Sequence, residues 1–216
     1  ERLVKVIKAD GRQEILKYAN GRVSEVGYLD GAKEVILKKY EYDGAGRLKA
    51  EHIANRYTPG PKLGDREGSE YTKVVEYQYP DSKTVVERYY NGGVTVTKRY
   101  DSLGRLVVEE RESMLGLVCV RYQYNMAGKL KEVVRDGVRI SFSYDRFGKL
   151  LKETDGLGNY TEYEYDLEGK VTLKRSLSKR GELRGYFKYE YDLKGRLVAV
   201  ENHRKQRVKY TYDGYD

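Results

Sequence analysis

The sequence is poor in the residues that most chemistry and most cores rely on. It has one cysteine, two histidines, no tryptophan, two methionines and three prolines in 216 residues. A single cysteine excludes an intrachain disulfide, and two histidines with one cysteine exclude the usual zinc ligand clusters. Cys119 lies in the apolar run Leu117-Val118-Cys119-Val120 and is expected to be a small buried hydrophobe. No apolar run approaches the ~20 residues of a membrane-spanning helix, so no membrane span is expected. No leader is legible either, because the first residues already read as a strand. The scarcity of proline, together with 23 tyrosines, argues against disorder in a chain whose mean hydropathy is only −0.80.

What is present is charge and tyrosine. Lys and Arg number 42 against 34 Asp and Glu, a net charge of +8 with a pI near 9.2. The signs are interleaved, as in Glu109-Glu110-Arg111-Glu112, which reads as a solvated, ion-paired surface. The excess of base leaves acidic polysaccharide open as a partner and makes nucleic acid the weaker expectation. Few thermolabile residues and many Lys, Arg and Glu resemble the composition of heat-adapted proteins.

One motif recurs: Tyr-x-Tyr-Asp-x-x-Gly-Arg/Lys-Leu. Its clearest copies are Tyr40 to Leu48 and Tyr189 to Leu197, with variants at Tyr122 to Leu130, Phe142 to Leu150, Tyr163 to Val171 and Arg99 to Leu106. Eroded copies start at Tyr18 and Tyr77, and a last one starts at Tyr210. The turn residues Asn125, Asp145, Asp166, Asp192 and Asp213 follow one another at intervals of 20, 21, 26 and 21 residues. The two tyrosines of a copy share one face of a strand, since side chains alternate. Asp caps a turn and Gly takes its positive-φ position, which suits a three-residue hairpin loop closed by a glycine bulge. Second turns follow at Asp136-Gly137, Asp155-Gly156-Leu157-Gly158 and Arg180-Gly181. Each copy is therefore two strands, about twenty in all.

The expected structural positions are Tyr42, Asp43 and Gly46; Asp101 and Gly104; Tyr124 and Gly128; Tyr144, Asp145 and Gly148; Tyr165, Asp166 and Gly169; Tyr191, Asp192 and Gly195. Each glycine should have φ > 0. Tyr42, Tyr124, Tyr144, Tyr165 and Tyr191 should lie on one face and touch equivalent tyrosines or the leucine of an adjacent strand. The fold class is all-β, with tandem antiparallel hairpins forming a spiralling ribbon, shell or tube. Residues 1–216 read as one array with a loop insertion at about 54–69, around Thr58-Pro59-Gly60-Pro61.

Other chemistry is set aside on the residues. His52 and His203 follow comparable repeat positions but lack companion ligands, and the repeated aspartates are turn caps rather than calcium ligands. Gly44-x-Gly46 and Gly156-x-Gly158 precede no helix and so are not phosphate loops. No cofactor, metal or catalytic residue is assigned, and no enzymatic activity is expected. Tyrosines beside Lys and Arg leave a carbohydrate surface open.

The motif resembles the YD-repeat, or Rhs-repeat, family. The fullest match is Asp155 to Asp166 continuing to Gly169-Lys170-Val171, which is similar to Gly-Asn-x-Thr-x-Tyr-x-Tyr-Asp-x-x-Gly-Arg-Leu. The resemblance covers the repeat region from Tyr40 onward. It does not include the toxin core or an effector, because none of Pro59, Pro61 and Pro80 follows an aspartate. It implies a β-sheet ribbon spiralling into a hollow shell, at a cell surface or in a secreted assembly, enclosing a toxic polypeptide or presenting an adhesive face. The expected role is a non-catalytic structural segment of an extracellular shell, tube or filament. The alternatives are a carbohydrate-binding module and a fragment of a toxin-enclosing shell. The expected partners are further repeats or a second copy. The sequence closes on Tyr210-Thr211-Tyr212-Asp213-Gly214-Tyr215-Asp216, the first half of a repeat, and opens on Glu1-Arg2-Leu3-Val4, the second half. Those residues are expected to complete each other head to tail by strand addition if the array self-associates.

Overall fold

A computed structural model describes residues 2–8, 13–54 and 71–213. Every regular element in it is a strand, and the chain divides into two compact units, residues 1–119 and 120–216.

The first unit holds β1 (Arg2–Ile7), β2 (Gln13–Ala19), β3 (Arg22–Asp30), β4 (Lys33–Tyr42), β5 (Leu48–Ala54), β6 (Tyr71–Asp81), β7 (Thr84–Tyr89), β8 (Val94–Tyr100) and β9 (Leu106–Ser113). They pair antiparallel in chain order from β1 to β9. The boundary falls within β10 (Gly116–Tyr124), whose residues from Val120 pair with β11 (Leu130–Arg135) in the second unit. Then come β12 (Val138–Tyr144), β13 (Leu150–Thr154), β14 (Tyr160–Tyr165), β15 (Val171–Leu177), β16 (Leu183–Tyr191), β17 (Leu197–Asn202) and β18 (Arg207–Lys209), again antiparallel in chain order. The expected tandem hairpins are therefore what forms. The expected insertion at 54–69 lies outside the described residues apart from Ala54, which ends β5.

Hydrophobic burial is slight. Among the described residues the buried apolar side chains are Ile15, Val35, Ala50, Ala54, Val74, Val75 and Val96 in the first unit and Ala199 in the second. A chain this polar cannot fill a thick core, and most strand residues are half-buried instead. Cys119 follows suit. It is half-buried, not buried as expected, because its strand leaves both faces partly wetted.

Charge is spent across strands. Lys17 bridges Glu25 and Glu34, Arg175 bridges Glu162 and Glu164, and Arg99 meets Glu110. Such partly exposed, solvent-screened pairs contribute little each to stability.

Candidate functional site

The recurring site is the turn that follows each Tyr-x-Tyr, together with the tyrosine before it. At Asp43, Asp101, Asn125, Asp145, Asp166 and Asp192 the backbone N–H of the turn's first residue donates to the carbonyl four residues on. The glycine N–H donates back to that first residue's carbonyl, at 2.8–3.1 Å. Gly46, Gly104, Gly128, Gly148, Gly169 and Gly195 have φ between 74° and 90°. In all six hairpins the register shifts beside the tyrosine, for example between Glu41 and Tyr42 and between Ser143 and Tyr144. This is the three-residue loop with a glycine bulge.

The aspartate carboxylate completes the turn. Asp43 Oδ1 accepts from the Ala45 and Arg47 N–H groups, and Asp43 Oδ2 accepts from Arg47 Nε at 2.8 Å. Asp101 does the same with Leu103 and Arg105, and Asp192 with Arg196. The donated backbone N–H at Arg47, Arg105 and Arg196 is the main cause that holds these three carboxyls below the ordinary aspartate range. Asn125 Oδ1 accepts the Lys129 N–H at 2.9 Å, so an amide serves the same cap.

The second tyrosine links one hairpin to the one before it. Near these turns adjacent hairpins splay: backbone pairing of β13 with β14 ends at Lys152 and Glu162, and that of β15 with β16 at Leu173 and Lys188. The carbonyl left without a ladder partner takes a tyrosine hydroxyl instead. Tyr144 Oη donates to the Leu130 carbonyl, Tyr165 to Leu150 and Tyr191 to Val171, at 2.7–3.0 Å. Tyr42 to Val23, Tyr79 to Leu48 and Tyr212 to Leu197 are the same bond elsewhere. Burial is the first cause that pushes the Tyr144, Tyr165 and Tyr191 hydroxyls upward. The tyrosine's partner is thus the backbone of the preceding repeat's Leu or Val.

The basic residue of the preceding turn completes the joint. Arg22 lies over the Tyr42 ring, Arg47 over Tyr79, Lys149 over Tyr165, Lys170 over Tyr191 and Arg196 over Tyr212, with the cation 4.3–5.9 Å from the centroid. The same side chains reach across the next turn's glycine. A Cβ on Gly46 would meet the Arg22 guanidinium, and one on Gly195 the Lys170 ammonium.

Two features lie outside the motif. At the opposite hairpin ends, the turns starting at Asp155, Ser178 and Asn202 repeat the same backbone bonds, and Lys205 occupies the positive-φ place at 63°. Across β6 to β8, Glu87 is buried and receives Tyr89 Oη and Lys98 Nζ, both at 2.7 Å, while Tyr77 Oη donates to Glu51 at 2.7 Å. Burial first, and then the bond to Glu51, pushes the Tyr77 hydroxyl far upward. These groups pair with one another and present no activated nucleophile.

The remaining positions are distributed. His52 belongs to the first unit and His203 to the second, and among the described residues no three metal-ligating side chains gather. Arg2 and Leu3 pair with Tyr18 and Lys17 in β2, the Tyr210 N–H donates to Val198, and Tyr212 makes the bond given above. The joint between Asp216 and Glu1 lies outside the described residues, and Asp213 is the last described residue before it.

Comparison with known proteins agrees with this geometry. The family described as Teneurin YD-shell matches residues 95–216. Among solved structures, the TcdB2–TccC3–TEV crystal structure is 16% identical with a TM-score of 0.64, covering 97% of this chain and 12% of that one. The Tc holotoxin pore of Photorhabdus luminescens, carrying the TccC3 D651A mutation, gives the same identity, TM-score and coverage. The likeness to these structures is one of fold, and the chain spans about an eighth of their length. None of the curated proteins compared matches the chain.

Proposed function

Because the chain belongs to the teneurin YD-shell family, we propose that it is a non-catalytic structural segment of an extracellular β-sheet shell, with further repeats of the same kind as its immediate partners. The observation that carries this reading is the joint between hairpins. The turn aspartate and glycine serve their own hairpin, whereas the tyrosine hydroxyl and the preceding cation serve the next one. Residues repeated in this way maintain a continuous sheet, and none of them is poised for bond making. Electron microscopy of the native material tests the reading, with an antibody against the exposed Ser113–Gly116 turn locating this segment. Hollow particles with the label on their wall are expected. Dispersed small globules or labelled filaments would contradict it.

One observation favours a second reading, a carbohydrate-binding module. In the second unit a hollow of about 380 Å³ is lined by Tyr160, Thr161, Tyr163, Lys174, Ser176 and Arg184 among others. Aromatic rings beside hydroxyls and cations suit a sugar. Saturable binding on a glycan array would favour it over the purely structural role.

A further inference from the structure

In the second unit, four consecutive turns after Tyr-x-Tyr or Phe-x-Tyr carry a large apolar side chain at the tip: Met126, Phe147, Leu167 and Leu193. Three are fully exposed and Phe147 is 73% exposed. The turns do not need them. Asp or Asn and Gly satisfy the backbone, and the two central positions of such a turn ordinarily favour polar residues. A lone exposed leucine needs no explanation, but consecutive tips two strands, or about 10 Å, apart form a line. In the first unit the corresponding positions hold Gly44 and Ala45, Ser82 and Lys83, and Ser102 and Leu103, so only Leu103, 73% exposed, matches them there and an unbroken row forms only in the second unit.

The charge around this row is positive in excess: Lys129, Arg146, Lys149, Lys170, Lys194 and Arg196 stand against Asp145, Asp166, Glu168 and Asp192. Asp145 is occupied by the Phe147 and Lys149 N–H groups, Asp166 by the Lys170 N–H, Asp192 by Arg196 and Glu168 by Lys170. The cations Lys129, Arg146, Lys149 and Lys194 form no ion pair among the described residues. The aspartates thus cap their own turns, the exposed Glu168 is held by Lys170, and a net positive charge flanks the apolar tips.

We infer that this edge docks on an anionic phospholipid surface, beyond the structural role proposed above. Met, Phe and Leu tips enter between head groups, and the flanking Lys and Arg meet the phosphates. A second copy is the poorer occupant for the same edge, because like charges would face each other.

The test uses the full chain with vesicles of phosphatidylcholine alone or mixed equally with phosphatidylglycerol. Co-sedimentation with the anionic vesicles only, weakening with salt, is expected. M126S/F147S/L167S/L193S should partition roughly tenfold less or worse, with its strand circular dichroism unchanged. Since the chain has no tryptophan, F147W gives a single reporter that does not depend on that variant folding. Its emission should shift to the blue with anionic vesicles and be quenched by brominated lipid. The inference is overturned if the native chain does not sediment, if the serine variant binds equally, if the reporter does not respond, or if the tip row instead drives self-association without lipid.

Discussion

At the residue scale, the turn aspartate is the group whose chemistry is most exposed to conditions. It accepts backbone N–H groups only as a full hydrogen-bond acceptor, and those bonds, with the arginine at Arg47, Arg105 or Arg196, favour its ionised form. A carboxyl depressed on folding stabilises the fold fully above its unfolded pKa of about 3.9. That contribution is lost as pH falls through the lower folded value. The melting temperature should therefore hold steady above roughly pH 5 and fall on the acid side of about pH 4. The D43N/D101N/D192N variant should show a shallower acid limb, because an amide caps at Asn125 without titrating. Thermal melts of both chains across that range check this, and parallel acid limbs would show that other carboxyls dominate.

At the scale of the hairpin, much was legible in the sequence. Alternation placed Tyr-x-Tyr on strands, and Asp-x-x-Gly fixed the loop because only a few residue types satisfy an Asx cap followed by a left-handed residue. The tyrosine's target was less legible. A carbonyl carries no sequence signature, and Leu130, Leu150 and Val171 are recognised by position, not by side chain. The turn at Arg180-Gly181 was read but its Ser178 hydroxyl cap was not, and the turn at Asn202 was missed because an amide cap, with Lys205 in the glycine place, supplies the geometry without the motif. The reach of one turn's cation over the next turn's glycine was also invisible, and it separates two glycines that look equivalent. Gly104 has a φ of 74° with open space around a would-be Cβ, whereas Gly46 has a φ of 77° and Arg22 in that space. G104A should cost ~1 kcal/mol through the backbone alone. G46A should cost more, because Arg22 must leave its place beside Tyr42. Denaturant midpoints of the two variants compare them directly, and equal losses would mean that the cation yields freely.

For the whole molecule, the decisive fact is how little is buried. In the second unit Ala199 is the single buried apolar residue among those described, so hydrophobic burial alone does not bind its strands. Contacts there run between neighbours in the chain, and an array of that kind is held by the sum of its local interfaces. The tyrosine bond is the recurring interface term. A net hydrogen bond is worth ~1 kcal/mol, and joints that share no partners should add nearly independently. Tyr189 provides the control, since it stands two residues before Tyr191 on β16 and has no comparable bond to a preceding carbonyl. The most direct measurement is calorimetric melting of Y144F/Y165F/Y191F beside Y189F. The expected result is a fall on the order of 10 °C for the triple variant, from about 3 kcal/mol lost in a unit of this size, with Y189F close to the native chain. A triple variant that melts with the native chain, or a Y189F loss as large as that of Y191F alone, would contradict a shell segment joined hairpin to hairpin by its tyrosines.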